Sequence, residues 1–319
     1  MARCIIKAIP ALFLFIFAVQ PAQAQTKLSI ATAGTTGVFY TYGGALASTI
    51  SKYVPELMVT AEATGGSVEN LKLISTKNVD MATTSADVAY NGFFAFKESK
   101  YFKQKVDARA LFNMYDEPLH IVTRAESPLK SLQDLKGKRV VVGSPGSGTE
   151  MKARMVLRGM GIEYKDFTPE FLSFAEGTEA LKDKVVDAAL LGVLYPAPAV
   201  VELSMHNAIR LIPLAQNEVE KMVQGNQVFV KATIPSGTYK GVDVDTVTVS
   251  VPCLVVSRPD LPDEVAYKIV KAVFEHKDEL DLMHSAFKDT TLENATKTVI
   301  PLHPGAIKYF KEKGVYKEQ

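Results

Sequence analysis

Short β-branched runs and amphipathic stretches alternate along most of this chain, and the joints between them are glycine, serine and threonine. The stretch Arg139 to Gly161 shows the pattern most fully. Arg139-Val140-Val141-Val142 predicts a short buried strand. Gly143 to Glu150 is too rich in glycine to hold a strand and suits close backbone approach. Met151 to Met160 predicts a helix, with Met151, Met155, Val156 and Leu157 at near-helical spacing and Gly161 as its C-cap. A Gly/Ser loop entering a helix N-terminus offers free N–H groups and a favourable dipole to an anion. The same sequence also fits an ordinary βα turn with Ser or Thr as N-cap, and both readings stand.

The unit recurs. Leu28 to Thr32 predicts a strand, Ala33 to Gly37 a Gly/Thr loop, and Val38 to Tyr53 a helix that Pro55 ends. Leu57 to Ala63 predicts a strand that closes in Thr64-Gly65-Gly66-Ser67, with Ser67 as N-cap of a helix to Ser75. Val79 to Thr83 predicts a strand, and Ser85-Ala86-Asp87 opens a helix to Phe96. In open α/β sheets ligands bind outside the carboxyl ends of the strands. Four joints of one composition at such ends are hard to explain as turn chemistry alone. They suit a small polar anion such as a carboxylate.

Further on, strands are predicted at Ala110–Met114 and Leu119–Thr123 with a break at Tyr115 to Pro118. A short helix is expected at Ser131–Lys138, a strand at Phe171–Phe174, a helix at Glu176–Lys184 and a strand at Val186–Leu191. Pro196 and Pro198 fit only the first turn of a following helix. Ala208–Leu214 and Gln216–Gln224 form another βα unit, and Val244–Val256 is a β-rich run interrupted at Pro252. Helices follow from Pro262. The expectation is an α/β protein of two lobes. The chain would leave the first near Glu117-Pro118 and return near Ser250 to Pro252, and the two connecting strands would form the hinge.

Composition adds an address. Arg3 and Lys7, the apolar run Ala11–Val19 and the A-x-A site Ala22-Gln23-Ala24 predict a signal peptide over residues 1–24, cleaved before Gln25. The expected location is the periplasm. With Arg3 and Lys7 removed, 34 of the 36 basic residues remain against 35 acidic ones, and no basic block suggests nucleic acid. Cys4 leaves with the signal, so Cys253 stands alone and reads as a small core hydrophobe. No G-x-S-x-G elbow surrounds Ser67, Ser144 or Ser147. Gly143 to Gly148 has P-loop glycine spacing but carries Thr149 where the lysine belongs. The five histidines lack metal-ligand spacing. Neither enzyme, metal nor cofactor is expected.

Five separated segments in order, GTTGVFYTYGGALA (Gly34–Ala47), ATGGSVENL (Ala63–Leu71), TTSADVAYNG (Thr83–Gly92), LKGKRVVVGSPGSGTE (Leu135–Glu150) and PDLPDEVAYKIVKAVFEHKDEL (Pro259–Leu280), resemble the TAXI family. These are extracytoplasmic solute receptors of a class of TRAP transporters. The resemblance implies a type II periplasmic-binding-protein fold, with residues 25–118 and 250–319 as one lobe and 119–249 as the other. It implies a monomer that hands a small organic acid or amino acid, such as glutamate, glutamine or a dicarboxylate, to an ion-gradient-driven TRAP-type permease.

Carried over by position, the resemblance places Thr36, Gly37, Val38, Tyr40, Gly66, Ser67, Ser85 and Asp87 in the first-lobe wall. It places Gly146, Ser147, Gly148 and Thr149 opposite, with Leu191, Gly192 and Tyr195. Asp87 carries two readings, an acceptor for a ligand ammonium or a carboxylate stabilising its own helix. The competing functions are a periplasmic enzyme on the same fold, and a receptor serving a sensor or an ABC permease.

Overall fold

The computed structural model describes residues 25–317, so the expected signal segment lies outside the described residues. The first third is built of βα units. β1 (Thr26–Ala31), α1 (Val38–Tyr53), β2 (Leu57–Glu62), α2 (Ser67–Ser75), β3 (Met81–Ser85) and α3 (Ala86–Phe93) follow in order, with β1 parallel to both β2 and β3. β4 (Arg109–Arg124) then leads to β5 (Arg139–Val141), α4 (Gly148–Gly159), β6 (Thr168–Glu170), α5 (Phe174–Lys182) and β7 (Ala188–Gly192). Next come α6 (Pro198–His206), β8 (Ile209–Leu211), α7 (Gln216–Gly225), β9 (Val230–Ile234) and β10 (Thr246–Ser257). Four helices close the chain: α8 (Asp263–Glu275), α9 (Lys277–Met283), α10 (Leu292–Ala295) and α11 (Pro304–Glu312).

The strands form one curled mixed sheet in the order β2-β1-β3-β10-β4-β7-β5-β6, with β8 against β4 and β9 against β10. β4 and β10 serve both halves. Residues 109–118 of β4 pair with 250–257 of β10, whereas its later residues Leu119 to Arg124 pair with β7 and β8. The early residues of β10 pair with β9 and its late ones with β3. Two apolar cores result. One packs Leu46, Ile50, Ile269 and Phe310 against the β1–β3 side, and the other gathers Val140, Val142, Val156 and Leu190 around β5 and β7.

Several expected elements change. The break at Tyr115 to Pro118 is continuous strand: Pro118 stays opposite Ser250, and its carbonyl accepts from the Val193 N–H at 3.3 Å. Pro252 interrupts nothing either, because a register shift between Pro252 and Leu254 accommodates the missing donor. The strand expected at Phe171–Phe174 lies earlier, at β6. Ser173 instead caps α5, receiving the Glu176 N–H while Glu176 accepts from the Ser173 N–H, and this reciprocal pair outweighs the aromatic run. The helix expected at Ser131–Lys138 is a single 3-10 turn, Leu132–Leu135. β9 had no expected counterpart. Cys253 is a buried free cysteine.

Candidate functional site

The carboxyl ends of β1, β2 and β3 are tied together by one side chain. Asn70, fully buried in α2, donates to the carbonyls of Thr32 at 2.6 Å and Thr83 at 2.8 Å, and its Oδ1 accepts from Thr64 Oγ1 at 2.6 Å. This fixes the loops that open α1 and α2. Both helices start on glycine, so neither N-terminus has a side-chain cap. Gly66 sits at φ 108°, a backbone state that favours glycine. Among the described residues, the Val38 and Phe39 N–H groups find no acceptor.

The loop after β5 meets these rims face to face. The Val68 and Glu69 N–H groups both donate to the Gly146 carbonyl at 3.2 Å. A Cβ on Gly148 would stand 2.7 Å from Ser85 Oγ and 2.8 Å from Ser67 Oγ, so only glycine permits this approach. Ser147 caps α4 by accepting the Glu150 N–H at 3.1 Å. Thr149 Oγ1 lies 3.3 Å from both the N–H and the carbonyl of Gly192 at the end of β7.

Between the two rims lies a cavity of about 260 Å³. Nine of the sequence-expected residues line it: Thr36, Gly37, Val38, Gly66 and Ser67 from one side, and Ser147, Gly148, Thr149 and Gly192 from the other. Six do not. Tyr40 points off the rim, and its neighbour Phe39 provides the aromatic wall. Ser85 and Asp87 are buried behind Ser67 and Gly148. Gly146 is engaged by α2, and Leu191 turns into the core by strand alternation while Gly192 and Val193 reach the rim. Tyr195 lines a different cavity, beside β4, β9 and β10.

Sequence reasoning missed Glu117, Phe39, Thr64, Ser144, Ser173 and Phe174, all of which line the cavity. Ser173 and Phe174 bring a fourth helix N-terminus, that of α5, to the rim beside those of α1, α2 and α4. Glu117 is 8 % exposed, and its Oε2 accepts from Lys152 Nζ at 2.7 Å. Asp87 stands behind, its Oδ1 receiving the Val88 N–H at 2.9 Å and its Oδ2 unpartnered. Burial raises the pKa of both carboxyls, against the opposing pull of Lys152. Lys152 itself was legible in the sequence: Thr149, Lys152, Ala153, Val156 and Leu157 share one helix face, so a lysine stands among apolar positions.

The cavity can therefore offer hydroxyls and free N–H groups to an oxyanion. Its back wall carries a carboxylate, and Val38, Phe39, Phe174 and Val193 give it apolar surface. Among the described residues no cluster of three or more His, Cys, Asp or Glu could hold a metal ion, and no helix is long and apolar enough to cross a membrane.

The profile of the NMT1-like family matches residues 30–314. The chain belongs to that family. The NMT1-like chain also resembles solved structures. PhnD1 from Prochlorococcus marinus, in complex with methylphosphonate, is 13 % identical with a TM-score of 0.56, covering 83 % of this chain and 91 % of its own. A Xanthomonas citri protein bound to ATP is 13 % identical with a TM-score of 0.53, covering 91 % and 96 %. The periplasmic aliphatic sulphonate binding protein of Escherichia coli is 14 % identical with a TM-score of 0.45, covering 89 % and 78 %. For PhnD1 and the Xanthomonas citri protein, at these identities, the likeness is one of fold.

Proposed function

We propose that this NMT1-like protein is a periplasmic solute receptor that captures a small carboxylate-bearing solute and passes it to a membrane permease. One observation carries the reading. Uncapped or hydroxyl-capped starts of α1, α4 and α5, contributed from both sides of the sheet crossover, converge on a single cavity. At about 260 Å³ it is smaller than the roughly 300–1,000 Å³ of drug-sized sites. In this reading residues 25–118 with 250–319 form one lobe and 119–249 the other, and β4 and β10 are the hinge. Ser147, Thr149 and the free Val38 and Phe39 N–H groups take the carboxylate. Glu117 replaces Asp87 as the group facing a ligand ammonium, which favours an amino acid such as glutamate or glutamine over a plain dicarboxylate.

The TRAP-type, ion-driven permease follows from the TAXI resemblance. The ABC alternative draws on a fold neighbour described as a putative L-cystine ABC transporter from Listeria monocytogenes, and PhnD1 holds methylphosphonate, another small oxyanion. A thermal-shift panel of amino acids, dicarboxylates, alkylsulfonates and phosphonates separates the ligand classes, since a specific ligand raises the melting temperature by mass action. Calorimetry on Ser147→Ala with Thr149→Ala should show at least a tenfold weaker carboxylate with the fold intact. Unchanged affinity moves the site elsewhere, and any chemical conversion of the ligand defeats the receptor reading. Uptake assays with the permease, driven by a sodium gradient or by ATP, decide the partner.

A further inference from the structure

Glu150, in the first turn of α4, is 3 % exposed, and its carboxylate accepts from both sides of the cleft. Arg154, one turn along the same helix, donates from Nε at 3.1 Å and from Nη2 at 2.7 Å. Arg154 in turn lies over the Tyr164 ring, 3.7 Å from its centroid, and the Tyr164 hydroxyl donates to the Glu150 carbonyl at 3.3 Å. The other donors come from the segment after α3. Tyr101 OH donates to Oε2 at 2.7 Å, and Lys100 Nζ to Oε1 at 3.3 Å.

That segment is fixed to the β1–β3 side. Phe102 and Val106 are buried in the same core as Leu46 and Ile50, and the Val106 N–H donates to the Gly92 carbonyl at 2.9 Å. The Ser99 hydroxyl accepts the Tyr101 N–H at 3.1 Å and the Phe102 N–H at 3.3 Å. Tyr101 and Glu150 therefore belong to different cores and meet across the crossover.

A carboxylate in a first helical turn is favourable through the dipole alone, and solvent suffices around it. Glu150 is buried instead. Burial opposes its charge, yet bonds from Tyr101 and Arg154 hold its pKa below the usual carboxylate value. Hydrogen bonds to an ionised group are roughly twice as strong as neutral ones. The Tyr101 bond is thus stronger than the neutral bonds that join the rims, from the Val68 and Glu69 N–H groups to the Gly146 carbonyl at 3.2 Å. Lys100 adds little, because its side chain is 48 % exposed. Neither Tyr101 nor Glu150 lines the cleft cavity, but the turn that carries Glu150 also carries Ser147 and Thr149, which do.

We propose that Tyr101 and Glu150 form a latch across the cleft, which holds the rims together and sets how readily the two lobes part. The latch rests on the lobe division of the receptor reading and not on the identity of the ligand.

Amide hydrogen exchange of the ligand-free mature protein, followed residue by residue by NMR, tests it. Val68 and Glu69 stand in the first turn of α2, where an N–H has no acceptor in its own helix, so their protection reports the contact with Gly146. In the parent both should exchange faster than Ile30 and Val140, which are buried in the two cores. Tyr101→Phe keeps the ring and removes the donor. It should speed exchange at Val68 and Glu69 at least about tenfold, as the loss of a hydrogen bond to a charged group implies. Glu150→Gln should act in the same direction, and Tyr101→Phe should add less in that background. Circular dichroism melting checks that each variant folds. Three results would overturn the latch: parent exchange at Val68 and Glu69 as slow as at Ile30 and Val140, unchanged rates in Tyr101→Phe, or a full Tyr101→Phe effect on top of Glu150→Gln. The measurement needs no ligand, so a thermal-shift panel without a hit would defeat the receptor reading and leave this result standing.

Discussion

Lys152 Nζ lies 2.7 Å from Glu117 Oε2 and 3.1 Å from the Glu117 carbonyl, with the lysine side chain fully buried. The pair links the start of α4 to the middle of β4, directly behind the cleft. Burial opposes the charge on Lys152, yet attraction to Glu117 and Asp87 holds its pKa above the ordinary lysine value. Two buried carboxyls and one ammonium leave the group short of one positive charge, which a ligand ammonium or a proton can supply.

Breaking this pair from one side should be expensive. Lys152→Met strands Glu117 and Asp87 without a counter-charge, and the expected loss is about 3–5 kcal/mol. Adding Glu117→Gln should recover part of it. Urea unfolding of both variants measures the difference, and a single-variant loss below about 1 kcal/mol would contradict the coupling.

His120 makes stability depend on pH. It is fully buried, with Nε2 2.8 Å from Tyr239 OH and Nδ1 3.2 Å from the Pro118 carbonyl. Burial first, and then Lys152, lower its pKa from 6.5 to about 4, against the pull of the Pro118 carbonyl. Between those values the unfolded chain binds more protons than the folded one, so stability rises with pH. The contribution is complete above 6.5 and is lost as pH falls through 4, a difference of roughly 3 kcal/mol. Urea midpoints of the parent and His120→Gln, compared across this window, should diverge. Parallel profiles would remove His120 from the account.

Gly148→Ala tests the close approach of the rims. Its Cβ would meet Ser85 Oγ at 2.7 Å and Ser67 Oγ at 2.8 Å, so the rims must separate or strain. The ligand found by the thermal-shift panel should bind at least about tenfold more weakly, equivalent to ~1.4 kcal/mol. Small-angle scattering should show less ligand-induced compaction. Full affinity with full compaction would mean the rims do not meet in the bound state.

Much of the candidate cavity's rim was readable in the chain because it is backbone chemistry. A strand followed by a Gly/Ser/Thr joint and an amphipathic helix places a helix start at a strand end by local rules alone. Nine expected rim residues accordingly line the cavity. Tyr40, Leu191 and Tyr195 failed for another reason. Proximity to a loop in sequence does not say where a side chain aims, and helix rotation sent Phe39 inward in place of Tyr40. Glu117 was hidden inside an expected break, because Pro118 obscured the strand that carries it.

Alternation of β-branched and amphipathic segments, by itself, determined the α/β class, the run of βα units and the identity of the glycine-rich rims, since each depends on neighbours only a few residues away. Tertiary structure alone decided that β4 and β10 pair across 130 or so residues of intervening chain, placing Glu117 against Lys152 and opening a second cavity at their register shift. Those outcomes rest on which distant strands share hydrogen bonds, and local hydrophobic periodicity does not encode that choice.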